Sequence, residues 1–234
     1  MSIAKLVGNT SKDSSYLNRI KDAIEHDRSH PRNLGVQMQA HHVISGEGMK
    51  RSRLGHKIEQ AGYDINLLPN LAFIPCTLQG ACHLGVQPHR GNHDFKIDQD
   101  DYKDDSEPPN YHNMVATMVQ QLDRALHIAC RGNDLHYRDK VIDALDALSK
   151  QILGNIRRKP EEAPLTRVAL RFGKMGIGCG GVDSVRDHKL TGTCAVGRNH
   201  FYREEAPRLS QGPKQQVEKI RYQGKSPYKL EVGK

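Results

Sequence analysis

Between Gln39 and Asp94 the chain places four histidines and an asparagine in an order that suits metal-assisted phosphodiester chemistry. They are a doublet (His41, His42), Asn70 opening an apolar run, and a pair spaced four apart (His89, His93). Imidazole is the commonest protein ligand for a divalent ion, and an ion held on some sides and open on another can polarise a phosphate and activate water. Histidines at i and i+4 share a helix face, so a helix beginning at residue 89 would bring both rings to one ion. An unperturbed imidazole, titrating near about 6.5, can also accept a proton at neutral pH. The spacing matches the H-E-x-x-H helix of metalloproteases, but Arg90 follows His89 where a glutamate base would be needed, which argues against peptide hydrolysis. An arginine beside the ligands suits an anionic substrate instead, because its fork matches phosphate oxygens.

The succession Ala40-His41-His42, then Gly62 to Asn66 (Gly-Tyr-Asp-Ile-Asn), then Asn70 ahead of a strand ending Ile74-Pro75, then His89 and His93, resembles the AHH family of the HNH/endonuclease VII superfamily. Its members are mostly toxin modules of bacterial polymorphic toxins and secreted effectors. The resemblance covers residues 38 to 125 and says nothing of residues 132 to 234. It implies an α+β fold with a small treble-clef ββα-metal core embedded in several helices. It also implies a role for each residue. His42 is the general base, His41, His89 and His93 hold one divalent ion (Mg²⁺, Zn²⁺, Ni²⁺ or Mn²⁺), and Asn70 holds the loop that carries the base. The implied activity is hydrolysis of DNA with little sequence preference, by an effector made in a bacterial cytoplasm, passed to a target-cell cytoplasm by a secretion system, and blocked by an acidic immunity protein. An RNase, a phage or restriction-type HNH nuclease, a noncatalytic metal-stabilised nucleic-acid-binding module, and an adaptor docking a secretion component are the alternatives.

Two points stay open on the residues alone. Neighbours in a regular strand point to opposite faces, so His41 and His42 share a site only across a bulge or a strand end, and either ring could be base or ligand. His83 with His89 is a competing ligand pair, but six residues apart they do not share a helix face, which favours His89 with His93.

Composition supports a polyanionic partner. Lys and Arg exceed Asp and Glu by 35 to 27, a net charge of +8 with pI near 9.3. Phosphate contacts drive nonspecific affinity through counterion release. The run from Asp98 to Glu107 carries six acids against Lys103 alone, so the rest of the chain is more basic than the total suggests. Arg90, Arg51, Arg53 and Lys57 are the candidate substrate contacts. Five cysteines without a C-x-x-C argue against a disulfide framework and a four-cysteine zinc knuckle. No conventional signal peptide and no membrane-spanning stretch is read, so no membrane partner is expected.

The elements that must position these residues follow from periodicity. Residues 1–12 read as a polar lead-in, and Leu17, Ile20, Ala23 and Ile24 give an amphipathic helix from Ser14 to about Arg28. A strand from Val36 to Ser45 carries the doublet, one helix runs from Lys50 to Ala61 with a basic outer face, and Leu71 to Ile74 forms the second strand. Long helices are expected over Asn110–Cys130 and Asp134–Ile156, joined as a hairpin by Arg131-Gly132-Asn133. After Arg157 the composition shifts; a strand is expected over Leu165–Phe172, and the glycine run Gly173–Gly181 fits neither a Walker loop nor a dinucleotide fingerprint. Cys179, His188, Cys194 and His200 have no recognised metal spacing. The chain thus divides into an N-terminal helical segment (1–36), an HNH-like nuclease core (37–130), a helical hairpin partner (131–159) and an irregular, partly β, basic C-terminal extension (160–234).

Overall fold

A computed structural model of the protein describes residues 7–89, 111–166, 169–172, 220–225 and 227–234. The fold is α+β, with two antiparallel strands surrounded by helices. Strand β1 (Met38–His42) pairs with β2 (Leu71–Pro75) in unbroken register, His41 opposite Ala72 and His42 opposite Leu71, with no bulge at the doublet. β2 is buried throughout, as its apolar run Leu-Ala-Phe-Ile-Pro requires. Its other edge is covered by the C-terminal residues: the Gly233 amide donates to the Leu71 carbonyl at 2.6 Å and the Phe73 amide to the Lys234 carbonyl at 2.7 Å. Both edges of the strand are therefore satisfied.

Helix α1 (Tyr16–Ile24) buries Ile20 and Ile24 almost completely, each worth about 1.5–3 kcal/mol. Ser15 at the N-cap makes no side-chain cap bond; Asp13 Oδ1 instead accepts from the Ser15 and Tyr16 amides, both at 2.8 Å. The expected single helix over Lys50–Ala61 is two helices, α2 (Gly46–Ser52) and α3 (Gly55–Gln60), broken at Arg53, which takes a left-handed conformation at φ 63°. Gly48 sets how closely α2 lies on α5 (Tyr111–Ala129): a Cβ there would meet a Val115 methyl at 2.5 Å. A short helix not read from sequence, α4 (Leu78–Leu84), follows β2 and is capped by the Thr77 hydroxyl. Helix α4 follows β2 but ends at Leu84, ahead of His89, so it is not the helix on which the resemblance places His89 and His93. Helix α6 (Asp134–Arg158) is capped by Asn133 and completes the hairpin with α5.

The described part of the polar lead-in is docked: Gly8 donates to the Glu59 carbonyl at 2.9 Å, Asn9 to the Tyr63 carbonyl at 3.0 Å, and the Thr10 hydroxyl to Glu59 Oε1 at 2.6 Å. One further expectation is corrected. The strand expected over Leu165–Phe172 is instead a 3₁₀ turn at Ala169–Phe172 beside residues that are not described. The glycine run, Cys179, His188, Cys194 and His200 lie outside the described residues, as does the acidic run. Among the described residues no helix is long and apolar enough to cross a membrane.

Candidate functional site

Regular pairing through the doublet sends its two rings to opposite faces of β1, as pleat geometry requires. His41 points inward and is 2% exposed; His42 is half-buried on the other face. Each ring has its own partners.

The His41 ring lies 4.7 Å, centroid to centroid, from that of His89, which is itself 5% exposed. His89 is positioned from its backbone, its amide donating to the Pro75 carbonyl at 2.8 Å where β2 ends. It therefore sits beyond α4 and not on a helix among the described residues; the ring on that helix is His83, whose Nε2 faces the Tyr222 carbonyl at 2.8 Å. On its other side His41 Nε2 is 3.0 Å from the hydroxyl of Tyr111, at the start of the described part of α5. That hydroxyl donates its only proton to the Val43 carbonyl at 2.5 Å, so towards His41 it can only accept. The neutral His41 ring is then protonated at Nε2, and Nδ1 is its lone-pair nitrogen. Burial holds the Tyr111 phenol well above its ordinary titration range, so it stays protonated.

His42 Nε2 is 3.0 Å from Asn66 Oδ1. The amide orientation of Asn66 is fixed by its nitrogen, which donates to the Ser11 carbonyl at 2.9 Å and to Asp64 Oδ1 at 2.8 Å. Asn66 thus presents oxygen to the ring, His42 donates from Nε2, and Nδ1 is left as its basic nitrogen. Tyr16 packs on the ring at 4.5 Å. Burial pushes the His42 pKa below the ordinary histidine value, the Asn66 hydrogen bond works against that, and the Lys12 charge adds to the depression, so the ring is neutral at neutral pH. His89 is lowered further, to about 4, chiefly by burial and then by Lys12.

Asn70 ties the segment after β1 to the rest of the site. It accepts from the Ile44 amide at 2.7 Å, donates to the Ile44 and Ile65 carbonyls at 2.9 Å each, and accepts from the Ser149 hydroxyl of α6 at 2.8 Å. A fully satisfied buried amide of this kind fixes a loop that carries no regular pairing. Ser45, the residue after Ile44, caps α2 and meets His112 Nδ1 at 2.8 Å.

The basic candidates divide. Arg90, like the ligand candidate His93, lies outside the described residues. Arg51 is exposed and engaged with Glu47 and with Asn113, both at 2.8 Å. Arg53 is exposed at the break between α2 and α3. Lys57 is turned from solvent: its ammonium meets Asp123 Oδ1 at 2.8 Å, bonds to His127 and lies 4.3 Å over the Tyr137 ring. That cluster joins α3 to α5 and α6.

A divalent ion would find neutral imidazole donors here, and the adjacent rings of His41 and His89 could supply two of them. Among the described residues no third His, Cys, Asp or Glu joins them. The residues missed from sequence are Tyr111, Asn66 and Tyr16. Asn66 ends the Gly62–Asn66 motif and Tyr111 begins an aromatic stretch, but only the fold shows that each addresses one histidine.

A family model described as AHH, a nuclease family of the HNH/ENDO VII superfamily with conserved AHH, matches residues 24–152, more than half of the chain. No curated protein and no solved structure matches it.

Proposed function

This chain belongs to the AHH nuclease family of the HNH/endonuclease VII superfamily, and from that premise we propose a divalent-metal-dependent endonuclease that hydrolyses DNA with little sequence preference. Family membership makes it a nuclease acting on nucleic acid. The observation that carries the finer reading is the division of the doublet, with His41 turned to His89 and His42 turned to Asn66.

In this reading His41 and His89, with His93, hold the ion, which supplies positive charge to the scissile phosphate and the leaving oxygen. His42 Nδ1 takes the proton of the attacking water, while its Nε2–H stays on Asn66. Asn66 and Asp64 keep the ring from turning over, and Asn70 keeps the chain after β1 from moving away. The basic balance of the chain favours DNA through backbone phosphates, contacts that carry no sequence information, which supports low sequence preference. An antibacterial effector role, delivery into a target cell by a secretion system, and inhibition by an acidic immunity protein rest on the resemblance to toxin modules; complementary charge would favour such a partner.

The test is cleavage of plasmid DNA and of RNA by purified protein with Mg²⁺, Mn²⁺, Ni²⁺ or Zn²⁺, with a chelator control and with His42→Ala. The expected result is metal-dependent DNA cutting that the substitution abolishes. Cutting that survives the chelator, or that His42→Ala leaves intact, would overturn it.

A further inference from the structure

We infer that Lys12, in the N-terminal arm ahead of the family-matched region, is a phosphate-binding residue for the nucleic-acid substrate at the His42 site. The inference rests on the nuclease site proposed above.

The arm is built into the site. The Ser11 carbonyl accepts from Asn66 Nδ2 at 2.9 Å, and the Asp13 amide donates to Asn66 Oδ1 at 3.0 Å. Lys12 is therefore held on both sides by the residue that orients His42. Asp13 secures the far end through Arg19 at 3.1 Å, and Arg19 reaches on to the Asn66 carbonyl at 3.2 Å. From this fixed backbone the Lys12 side chain runs out into solvent, with its ammonium 4.9 Å over the ring of Tyr16, which packs on His42.

What the ammonium does not touch matters as much. Arg19, Arg51 and Lys57 each face a carboxylate within 3.1 Å, whereas Lys12 forms no ion pair among the described residues. Its charge is also felt at His42, where the Asp13 and Asp64 charges oppose it, and at His89, in each case as a smaller effect than burial. A solvent-facing cation packed on the ring that covers the proposed base is placed to meet a phosphate oxygen of a bound strand. A compact, rotatable ammonium suits that contact without fixing sequence.

The experiment measures binding of a fluorescein-labelled DNA duplex by anisotropy across a salt series, in the uncut His42→Ala protein. Adding Lys12→Ala is expected to weaken binding about 3- to 10-fold and to reduce the salt slope by about one. Lys12→Arg is expected to keep both, as is Lys140→Ala, which removes an exposed charge on α6. Equal losses in the Lys12→Ala and Lys140→Ala proteins, no loss with Lys12→Ala, or a parent that binds no duplex would overturn the inference. In the His42 background Lys12→Ala is expected to raise KM for DNA more than it lowers kcat; the reverse pattern would also count against it. Failure of the wild-type protein to cut nucleic acid with any ion is a separate result that removes the nuclease reading.

Discussion

The hydroxyl of Tyr111 accepts a hydrogen bond from His41 Nε2 at 3.0 Å, and it can do nothing else there because its proton is committed to the Val43 carbonyl. One buried phenol thereby selects the tautomer of the proposed metal ligand and the orientation of its ring. Partners of this kind typically contribute about 10- to 100-fold in metal affinity or activity. Tyr111→Phe is therefore expected to weaken Zn²⁺ or Ni²⁺ binding by about 10-fold in calorimetric titration. In the metal-free protein, ¹⁵N spectra should report Nε2–H for His41, and a mixture of tautomers in the variant. Unchanged tautomer and affinity would reduce Tyr111 to a core residue.

Asn70 offers a different balance of effects. Its side chain satisfies backbone groups of Ile44 and Ile65 and the hydroxyl of Ser149, all buried. Leaving such groups without partners costs about 1–3 kcal/mol each, softened by relaxation, so Asn70→Ala should lose about 3 kcal/mol in urea unfolding. His42→Ala, at a half-buried ring, should lose about 1 kcal/mol and yet abolish cleavage. Stability losses in the opposite order would contradict the assignment of Asn70 as clamp and His42 as reactive group.

His30 carries a pH signature away from the site. It is 2% exposed, its Nδ1 accepts from the Arg32 amide at 3.2 Å, and burial holds its pKa down to about 4. Between about pH 6.5 and pH 4 the unfolded chain binds a proton at this ring that the folded protein refuses, so stability falls as pH drops through that window and is fully present above it. The contribution is up to about 3 kcal/mol. Buried His89, lowered likewise, contributes in the same direction. His30→Asn keeps an acceptor for the Arg32 amide and removes the titration. Its unfolding midpoint should therefore fall less between pH 7 and pH 4.5 than that of the wild type; equal falls would place the pH dependence elsewhere.

Lys57 separates what sequence and structure say of the basic face. Its ammonium is committed to Asp123 and packed on Tyr137, so Lys57→Ala should leave DNA affinity within about 2-fold while lowering stability by about 1 kcal/mol. A large fall in affinity without a loss of stability would restore it as a substrate contact.

The strand pair, the two long helices and the histidine order were legible because each depends on local pattern: apolar runs, 3.6-residue periodicity and the turn residues Arg131-Gly132-Asn133. The warning that strand neighbours diverge was legible too, and the regular register of β1 makes it decisive: His41 and His42 serve opposite faces. What escaped were relationships set by tertiary contact. Arg53 breaks a helix whose pattern ran straight through it. The lead-in reads as polar because its work is done by backbone groups of Gly8 and Asn9 and by the short side chain of Thr10, none of which leaves an apolar period. Lys57 and Lys12 look alike in a list of cations, and only the position of Asp123 tells them apart.

The division of labour within the doublet is tested most directly by calorimetric titration of Zn²⁺ into wild-type, His41→Ala and His42→Ala proteins. The expected result is one ion bound by the wild type, binding retained by His42→Ala, and binding lost or weakened at least about 10-fold by His41→Ala. Loss of the ion from His42→Ala together with full binding by His41→Ala would contradict the account.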